Sequence, residues 1–387
     1  MIIVPNIPKV YKDRFPSNFV NDVADWGFTK AELLENKGKL LTMDIDFTSA
    51  DQCSLDCPHC YSHNGKIDES DNSRLSYEEI MDVIKQGKEL GLKSVKLLGR
   101  GEHTEHPDLI EFLEDLNKLD IVPLMFTKGH VIGDDDLVKK FHGCRGINTG
   151  KDLVKALKEL NTRILLGFRS FDTEKEDRTV GNVKGYALKR NRALELLVEE
   201  GFNQPMPTYL GLMTIPVTKD NLDEAFDIYV FGKERNMYVC VTPTMMSGRG
   251  SKENFRDKMT PSPNELIELY TRIYEWNIEK GVQTLEQIKG EGVSAYAGSR
   301  PCQQVGCGLY VTLFGDVYIC PGDDSEDVNF GNIRENSLKE IWENSPNYKQ
   351  AGEFNCYCPA KDGRTIPRML YSEVVRRLQM KYEWQMK

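Results

Sequence analysis

The sequence predicts an α/β fold: a partial (β/α)6 TIM-like barrel followed by a small cysteine-rich domain. From residue 40 to about residue 250, short segments rich in β-forming residues alternate with longer amphipathic stretches, which is typical of repeated βα units. Beyond that point the alternation stops, and cysteines accumulate between residues 302 and 358. We therefore expect one barrel unit and one separate, loop-rich unit.

Six strands with intervening helices account for the barrel. The strands are predicted at 40–47, 94–98, 121–127, 163–168, 208–215 and 238–242. The helices are predicted at 76–90, 107–119, 151–160, 186–200 and 221–235. Active sites of such barrels lie at the C-terminal ends of the strands, so residues that follow a strand are the candidates for function.

The remaining segments complete a five-part division of the chain. We expect an N-terminal extension at 1–37, the barrel at 38–250, a helical linker at 251–300, the cysteine-rich domain at 301–365 and a C-terminal helix at 366–387. A long helix is predicted at 261–280, and Phe314-Gly315-Asp316 predicts a hairpin turn.

Composition limits the kinds of partner that we expect. The 387 residues carry a formal net charge of -10, which disfavours nucleic acid and anionic lipid as partners. The first residues lack the pattern of a signal peptide, and no run of ~18 apolar residues occurs. We therefore expect a soluble, cytoplasmic protein that binds neither nucleic acid nor membrane.

Eight of the ten cysteines fall into two groups. The first group is Cys53, Cys57 and Cys60, and the second is Cys302, Cys307, Cys320, Cys356 and Cys358. In a reducing cytosol such clusters are more often metal ligands than disulfides. The isolated Cys144 and Cys240 are expected to pack as small apolar side chains.

The first group lies on a loop just after the first predicted strand. Its three thiolates suit an iron-sulfur cluster, zinc or copper(I), and three ligands to a four-iron cluster would leave one iron open. The alternative is structural zinc with His59 or His63 as fourth ligand. Structural zinc sites usually show paired C-x2-C knuckles, which this triplet lacks, so the spacing favours iron-sulfur.

The second group offers four ligands from two chain segments. Cys302 and Cys320 flank the hairpin, and Cys356 and Cys358 come from one loop. Four thiolates would close a four-iron cluster, with zinc as the alternative. Cys307 is an alternative ligand to Cys302.

The first triplet resembles the signature of the radical S-adenosylmethionine (SAM) superfamily, in which an aromatic residue precedes the third cysteine; His59 takes that position. The resemblance covers roughly residues 38–250. It implies a [4Fe-4S] cluster whose open iron is chelated by SAM, and an electron that cleaves SAM to methionine and a 5'-deoxyadenosyl radical. That radical removes a substrate hydrogen atom. A flavodoxin- or ferredoxin-type reductant is the implied electron source.

Further segments resemble the SAM-contacting parts of this family. In Gly99-Arg100-Gly101-Glu102, which is similar to a Gly-Gly-Glu stretch, Gly99, Gly101 and Glu102 are expected to receive the SAM ammonium group. Glycine is expected there because the backbone itself approaches the ligand. Arg100 and His103 depart from the family pattern of glycine and proline.

Two more segments complete the implied SAM site. Ser170, in a segment that resembles a fourth-strand Ser-Leu-Asp, is expected near the SAM ribose, although an ordinary strand end with an Asp cap explains the segment equally well. Arg249 either reaches the SAM carboxylate or braces the rim. The segment Phe126-Thr127-Lys128-Gly129 resembles a strand end of relatives, without an assigned role.

The second cysteine group resembles the SPASM and Twitch auxiliary domains. The shared pattern includes Gly315, which four residues separate from Cys320, and the later Gly331-Asn332-Ile333 and Ile341-Trp342. Because only Cys356 and Cys358 follow Cys320, one auxiliary [4Fe-4S] cluster is expected.

The resemblance implies a radical SAM oxidoreductase or isomerase. The N-terminal segment looks too short for a peptide-binding winged-helix extension, which favours oxidation or epimerisation of a small polar, sugar-like or amino-acid-derived substrate. The alternatives are a peptide or protein maturase, which forms a crosslink or an oxidised side chain, and a non-catalytic iron-sulfur protein. Cys240, on the sixth predicted strand, is the candidate hydrogen donor for epimerisation.

Overall fold

A computed structural model describes residues 1–49, 52–61, 73–323, 328–354 and 357–383. Its strands form one nine-stranded sheet in the order β6-β5-β4-β3-β2-β1-β7-β8-β9. The strands are β1 Thr42–Ile45, β2 Ser94–Leu97, β3 Val122–Thr127, β4 Arg163–Gly167, β5 Leu210–Val217, β6 Tyr238–Pro243, β7 Gly308–Val311, β8 Asp316–Tyr318 and β9 Asn329–Asn332. All six predicted barrel strands are present.

Fifteen helices are present in the part of the chain that the structure describes. They are α1 Lys30–Glu35, α2 Tyr77–Glu89, α3 Leu109–Lys118, α4 Asp135–His142, α5 Gly150–Glu159, α6 Thr173–Thr179, α7 Tyr186–Glu199, α8 Leu222–Lys233, α9 Glu253–Met259, α10 Pro263–Lys280, α11 Leu285–Glu291, α12 Gln304–Cys307, α13 Leu338–Asn344, α14 Pro346–Lys349 and α15 Leu370–Tyr382. None of these helices has both the length and the apolar composition that crossing a bilayer requires.

Strands β1 to β6 pair in parallel and in chain order, with helices between them. Every residue of β1, β2, β4 and β6 is buried, as expected for a parallel sheet covered by helices. Because β6 is an edge of the sheet and does not pair with β1, the barrel is partial, as predicted.

Helix boundaries follow from local sequence signals. In α2, Ser76 and Glu79 form a capping box, and the apolar face that includes Ile80 and Ile84 is buried. In α10, Ser262 caps the first turn, and Gly281 ends the helix with a φ of 80°.

Part of the N-terminal segment packs against the barrel strands. Val23 forms a bridge with Thr208, and Val23 and Trp26 pack in an apolar cluster with Phe126 and Cys240. Residues ahead of the first strand therefore pack against side chains of β3 and β6.

The cysteine-rich segment extends the barrel sheet and does not build a sheet of its own. Strand β7 pairs in parallel with β1, in the register Thr42 with Gly308. Strand β8 pairs antiparallel with β7 and with β9, and Gly315 makes the predicted hairpin turn between β7 and β8 with a φ of 87°. The segment that carries the second cysteine group thus begins beside the strand that leads into the first group.

Candidate functional site

A cavity of about 180 Å³ opens at the C-terminal ends of the parallel strands. Its lining includes Cys53, Cys57, His59, Cys60, Gly99, Gly101, Glu102, Lys128, Cys240 and Arg249. Most of the predicted site residues therefore share one cavity, although the sequence distributes them over four strands and the loops that follow them.

The cysteine loop connects β1 to α2 and forms one wall of this cavity. Its backbone turns tightly, because the Cys60 amide donates to the Cys57 carbonyl oxygen at 3.2 Å. Burial raises the pKa of the Cys53 thiol and of the Cys57 thiol. Soft metal ions would stabilise the thiolate forms that burial disfavours.

Neighbouring loops hold the cysteine loop in place from both sides. The Ser54 amide and hydroxyl both donate to the Glu105 carboxylate, which lies 2.7 Å from His130 Nε2. On the other side, Gly248 has a φ of 54°, and an added Cβ would lie 2.5 Å from the Cys60 carbonyl oxygen. Glycine is required there because no larger residue allows this close approach.

Arg249 braces the same loop. Its amide donates to the Cys60 carbonyl oxygen at 2.7 Å, and its guanidinium contacts the Asp56 carboxylate and donates to the Cys57 carbonyl oxygen at 3.2 Å. Of the two roles considered for Arg249, the hydrogen bonds of this structure display the bracing one.

The donor set fits a cluster with one open iron. Cys53, Cys57 and Cys60 all line the cavity, and three thiolates would hold a four-iron cluster with one iron open to a cosubstrate. Among the described residues, no three His, Cys, Asp or Glu side chains converge closely enough to hold a single metal ion.

Glu102 is fixed by strand β3 and its following loop. Its carboxylate accepts hydrogen bonds from the Thr127 hydroxyl at 2.6 Å, the Thr104 hydroxyl at 2.7 Å and the Lys128 amide at 2.7 Å. Charge-assisted bonds of this length hold a carboxylate firmly. Glu102 is thus preorganised at the cavity wall where the resemblance puts the SAM ammonium group.

The glycines beside Glu102 are required by protein packing. A Cβ on Gly99 would lie 1.8 Å from Asp46 Oδ1, and one on Gly101, whose φ is 77°, would lie 2.5 Å from the Ser49 carbonyl oxygen. The resemblance implies that ligand approach demands these glycines. The structure supplies a different reason, since both press against the end of β1.

Arg100 is paired with Asp46, the residue that follows β1. Both side chains are buried, and Arg100 Nε lies 3.3 Å from Asp46 Oδ2. The same carboxylate accepts from the Tyr310 hydroxyl at 2.7 Å and from the Leu313 amide at 3.2 Å. Burial raises the pKa of Asp46, and Arg100 opposes that rise. This departure from the family pattern therefore comes with its own buried partner.

His103, the second departure, is also buried. Its Nδ1 lies 3.2 Å from the Thr48 hydroxyl, which contacts the Arg100 carbonyl oxygen as well. Burial lowers the pKa of His103 to about 4, so the imidazole is neutral at pH 7.

His59 and Ser170 differ in their relation to the cavity. His59 Nδ1 lies 3.1 Å from Arg169 Nη1, and burial, followed by the charges of Arg169 and Lys128, holds the pKa of His59 well below its usual range. The Ser170 hydroxyl donates to Glu224 at 2.7 Å. Ser170 lines a second cavity of about 180 Å³, which His59 shares, and it is absent from the lining of the first.

Cys240 lies on β6, and its side chain lines the main cavity. Burial raises the pKa of its thiol to about 12, with Lys233 opposing the rise. The thiol therefore keeps its proton at neutral pH.

Three cysteines of the second group lie near one another. After burial, the charges of Cys358 and Cys302 raise the pKa of Cys320, and that of Cys302 raises the pKa of Cys358. Cys307 instead donates to the Gln303 carbonyl oxygen at 3.3 Å and packs in an apolar cluster around Leu41. Cys302, and not Cys307, is therefore the cysteine grouped with Cys320 and Cys358. Cys356 lies outside the described residues.

The chain segments that carry the second group adjoin the main cavity. The Thr365 hydroxyl donates to the carbonyl oxygen of Thr244, a cavity residue, at 2.8 Å. Gly322 lies so near Met245, another cavity residue, that an added Cβ would be 2.7 Å from Met245 Sδ.

Sequence reasoning missed several residues of this site. Trp26, Met213, Ile215 and Tyr296 line the cavity, and Asp46 anchors its rim. Only Asp46 had a usable local signal, an acidic residue between a buried strand and the cysteine loop; Trp26 and Tyr296 come from segments outside the barrel repeat.

Comparisons with known proteins agree with this architecture. A model of the radical SAM superfamily matches residues 48–228, and one of the SPASM iron-sulfur cluster-binding domain matches residues 302–364. The chain is 26% identical over 301 residues to a PqqA peptide cyclase of Gluconobacter oxydans, spanning 76% of this chain and 75% of that relative. It is 32% identical over 130 residues to a probable GTP 3',8-cyclase of Saccharolobus islandicus, spanning 33% of this chain and 40% of that one.

Solved structures share the fold. Polyhistidine-tagged anSMEcpe with bound AdoMet (SAM) aligns with a TM-score of 0.59 at 17% identity, over 89% of this chain and 97% of that one. Streptococcus suis SuiB bound to precursor peptide SuiA aligns with a TM-score of 0.55 at 17% identity, over 82% of this chain and 68% of that one. Residues 48–228 are thus a radical SAM domain and residues 302–364 a SPASM domain, and the two domains imply a SAM-binding [4Fe-4S] cluster and auxiliary iron-sulfur binding.

Proposed function

We propose that this protein modifies a peptide substrate and forms a crosslink or an oxidised side chain. The observation that carries the proposal is the apolar character of the cavity walls, to which Trp26, Phe126, Met213, Ile215 and Tyr296 contribute. Such walls suit a peptide side chain, whereas a sugar ring would need hydrogen-bond partners for each hydroxyl group. The peptide alternative therefore replaces the small polar substrate that the short N-terminal segment favoured.

Similarity along the chain supports the same choice. The match to the PqqA peptide cyclase of Gluconobacter oxydans spans about three quarters of both proteins, with 76% of this chain and 75% of that one covered. A second PqqA peptide cyclase, from Rhizobium meliloti, is 24% identical over 309 residues, 79% of this chain and 73% of that one.

The residues of the chain take the following roles in this proposal. Cys53, Cys57 and Cys60 ligate the SAM-binding cluster, and Gly99, Gly101 and Glu102 receive the ammonium group of SAM. Cys302, Cys320 and Cys358 ligate one auxiliary [4Fe-4S] cluster, with Cys356 as the fourth ligand. When bound, the first cluster and SAM would supply a 5'-deoxyadenosyl radical that removes a hydrogen atom from the substrate. The auxiliary cluster would supply an acceptor for the second electron. Arg249 holds the cysteine loop, and Tyr296 forms the cavity wall on the side of the auxiliary cysteines.

A second candidate, epimerisation of a peptide residue, is favoured by one observation. The Cys240 thiol lines the cavity, and its pKa, raised to about 12 by burial, keeps the S–H group intact. An S–H group beside a substrate radical is a competent hydrogen donor. Replacing Cys240 with alanine tests this role. If product stereochemistry and solvent deuterium incorporation stay unchanged, Cys240 is not the donor.

The test of the main proposal is an anaerobic assay of the reconstituted protein with dithionite, SAM and synthetic peptides encoded beside its gene. We expect 5'-deoxyadenosine and a peptide product that is lighter by two hydrogen atoms. The variant with Cys53, Cys57 and Cys60 replaced by alanine is the control and should give neither. A monosaccharide panel run in parallel tests the alternative substrate class, and turnover of a sugar without any peptide product would overturn the proposal. Absence of SAM cleavage under all conditions would instead favour the non-catalytic iron-sulfur protein.

A further inference from the structure

Lys361 is a fully buried lysine whose ammonium group has no hydrogen-bond acceptor among the residues that the structure describes. It lies three positions after Cys358, and its amide donates to the Cys358 carbonyl oxygen at 3.2 Å. Burying an ammonium group without an anionic partner is costly. Its contact with an aromatic ring, with Nζ 4.9 Å from the centroid of Tyr296, offsets only a small part of that cost.

The described carboxylates of this segment are engaged elsewhere. Asp362 accepts from the Cys358 amide at 2.8 Å and from the Tyr371 hydroxyl at 2.6 Å. Asp323 pairs with Arg364 at 3.5 Å. The missing anion must therefore come from another source.

The second cysteine group is the candidate for that source, because Cys358 and Lys361 share one tight turn. In that turn the Cys358 carbonyl oxygen accepts from the Lys361 and Asp362 amides at 3.2 Å and 2.9 Å. An iron-sulfur cluster held by four thiolates carries a net negative charge. The attraction between this cluster and a buried cation beside it would offset the hydration that both groups lose on burial.

We propose that Lys361 is the counter-cation of the auxiliary cluster and raises its reduction potential. Reduction adds negative charge to the cluster, and a fixed cation stabilises the more negative form. Lys361 also contacts Tyr296, a wall residue of the substrate cavity. Lys361 is therefore a positioning residue for charge, which connects a wall residue of the cavity to the turn that carries Cys358.

The inference rests on the proposed auxiliary ligand set, which is tested separately. Cys320→Ala should lower the iron content of the protein. Undiminished iron would overturn the ligand set, whereas lost iron with no effect of Lys361 would overturn only the counter-cation.

The experiment measures the midpoint potential of the auxiliary cluster by an EPR-monitored reductive titration. The background is the full chain with Cys53, Cys57 and Cys60 replaced by alanine, so that the auxiliary cluster gives the signal. We expect a more negative potential in Lys361→Met and Lys361→Gln, and a nearly unchanged one in Lys361→Arg. The matched control is Lys233→Met, which removes another fully buried lysine that hydrogen-bonds to Asn21.

Each outcome decides for or against the proposal. Equal potentials in the background protein and in Lys361→Met or Lys361→Gln, at full iron content, would overturn it. Should the neutral variants lose iron or fail to fold, retention of both by Lys361→Arg supports a required charge. Loss of iron in Lys361→Arg as well would overturn the proposal in favour of a packing role.

Discussion

Replacing Arg100 with glycine restores the residue that the family usually has, and we expect the change to destabilise this protein. Asp46 and Arg100 form a buried pair, with 3.3 Å between Nε and Oδ2. Without the guanidinium, the carboxylate keeps hydrogen bonds from the Tyr310 hydroxyl and the Leu313 amide but loses the cation that lies within ion-pair distance.

The size of the effect follows from the burial of the pair. Removing one partner of a buried ion pair typically costs about 3–5 kcal/mol. Because Asp46 retains hydrogen bonds, we expect about 3 kcal/mol, to which the flexibility of glycine adds up to about 1 kcal/mol. Since burial raises the folded-state pKa of Asp46, protonation favours the folded state, and stability falls as pH rises through that pKa. The defect should therefore be smaller in mild acid than at neutral pH.

Anaerobic urea unfolding of the reconstituted variants measures this loss. Arg145→Gly is the matched control, because Arg145 pairs with Glu111 at 2.8 Å on the surface and should contribute about 0–1 kcal/mol. Adding Asp46→Asn to Arg100→Gly should recover part of the loss, with a coupling energy of about 2 kcal/mol. An Arg100→Gly variant as stable as Arg145→Gly, or a cycle without coupling, would refute the reasoning.

Three further predictions concern the loop, the SAM site and the core. Gly248→Ala should lower the iron bound by the first cysteine group, because the new methyl group would lie 2.5 Å from the Cys60 carbonyl oxygen. The control is Gly290→Ala, whose methyl group would point into open space, and this variant should bind the normal amount of iron. Equal iron contents in the two variants would contradict the prediction. Glu102→Gln should weaken SAM binding about tenfold or more in equilibrium dialysis, because it removes the negative charge and one of the three hydrogen bonds that the carboxylate accepts. Unchanged affinity for SAM would rule out a role of Glu102 in SAM binding. Burial lowers the pKa of Lys233 in the folded protein to about 7. Between pH 7 and the pKa of lysine in the unfolded chain, only the unfolded chain protonates this side chain. The free energy of unfolding should therefore rise by about 2 kcal/mol from pH 7 to pH 9. Lys233→Met should lack that rise in urea unfolding, and an identical pH profile would show that Lys233 titrates normally.

Local patterns were sufficient to predict the barrel strands and the first cysteine loop. Strand β1 at Thr42–Ile45 lies within the predicted 40–47, and β4 at Arg163–Gly167 lies within 163–168. Parallel strands buried on both faces read as short apolar runs, which sequence alone reveals. The loop after β1 then follows from the rule that places function at strand ends.

Long-range contacts could not be predicted in the same way. Thr42 pairs with Gly308, and Asp46 receives the Tyr310 hydroxyl, across more than half the chain. No periodicity encodes such partners, because each segment is compatible with several neighbours. The same limit explains Ser170, whose hydroxyl binds Glu224 of α8 in this structure.

The parallel pairing of β7 with β1 has a consequence for protein engineering. Strand β1 uses one edge for β2 and the other for β7, so excision of the C-terminal segment would leave backbone amides and carbonyls of Thr42–Ile45 bare. Bare strand edges invite association with other chains. Chimeras that exchange the C-terminal segment between relatives must therefore keep a strand that can pair with β1. Boundaries chosen from cysteine spacing alone would not ensure this pairing.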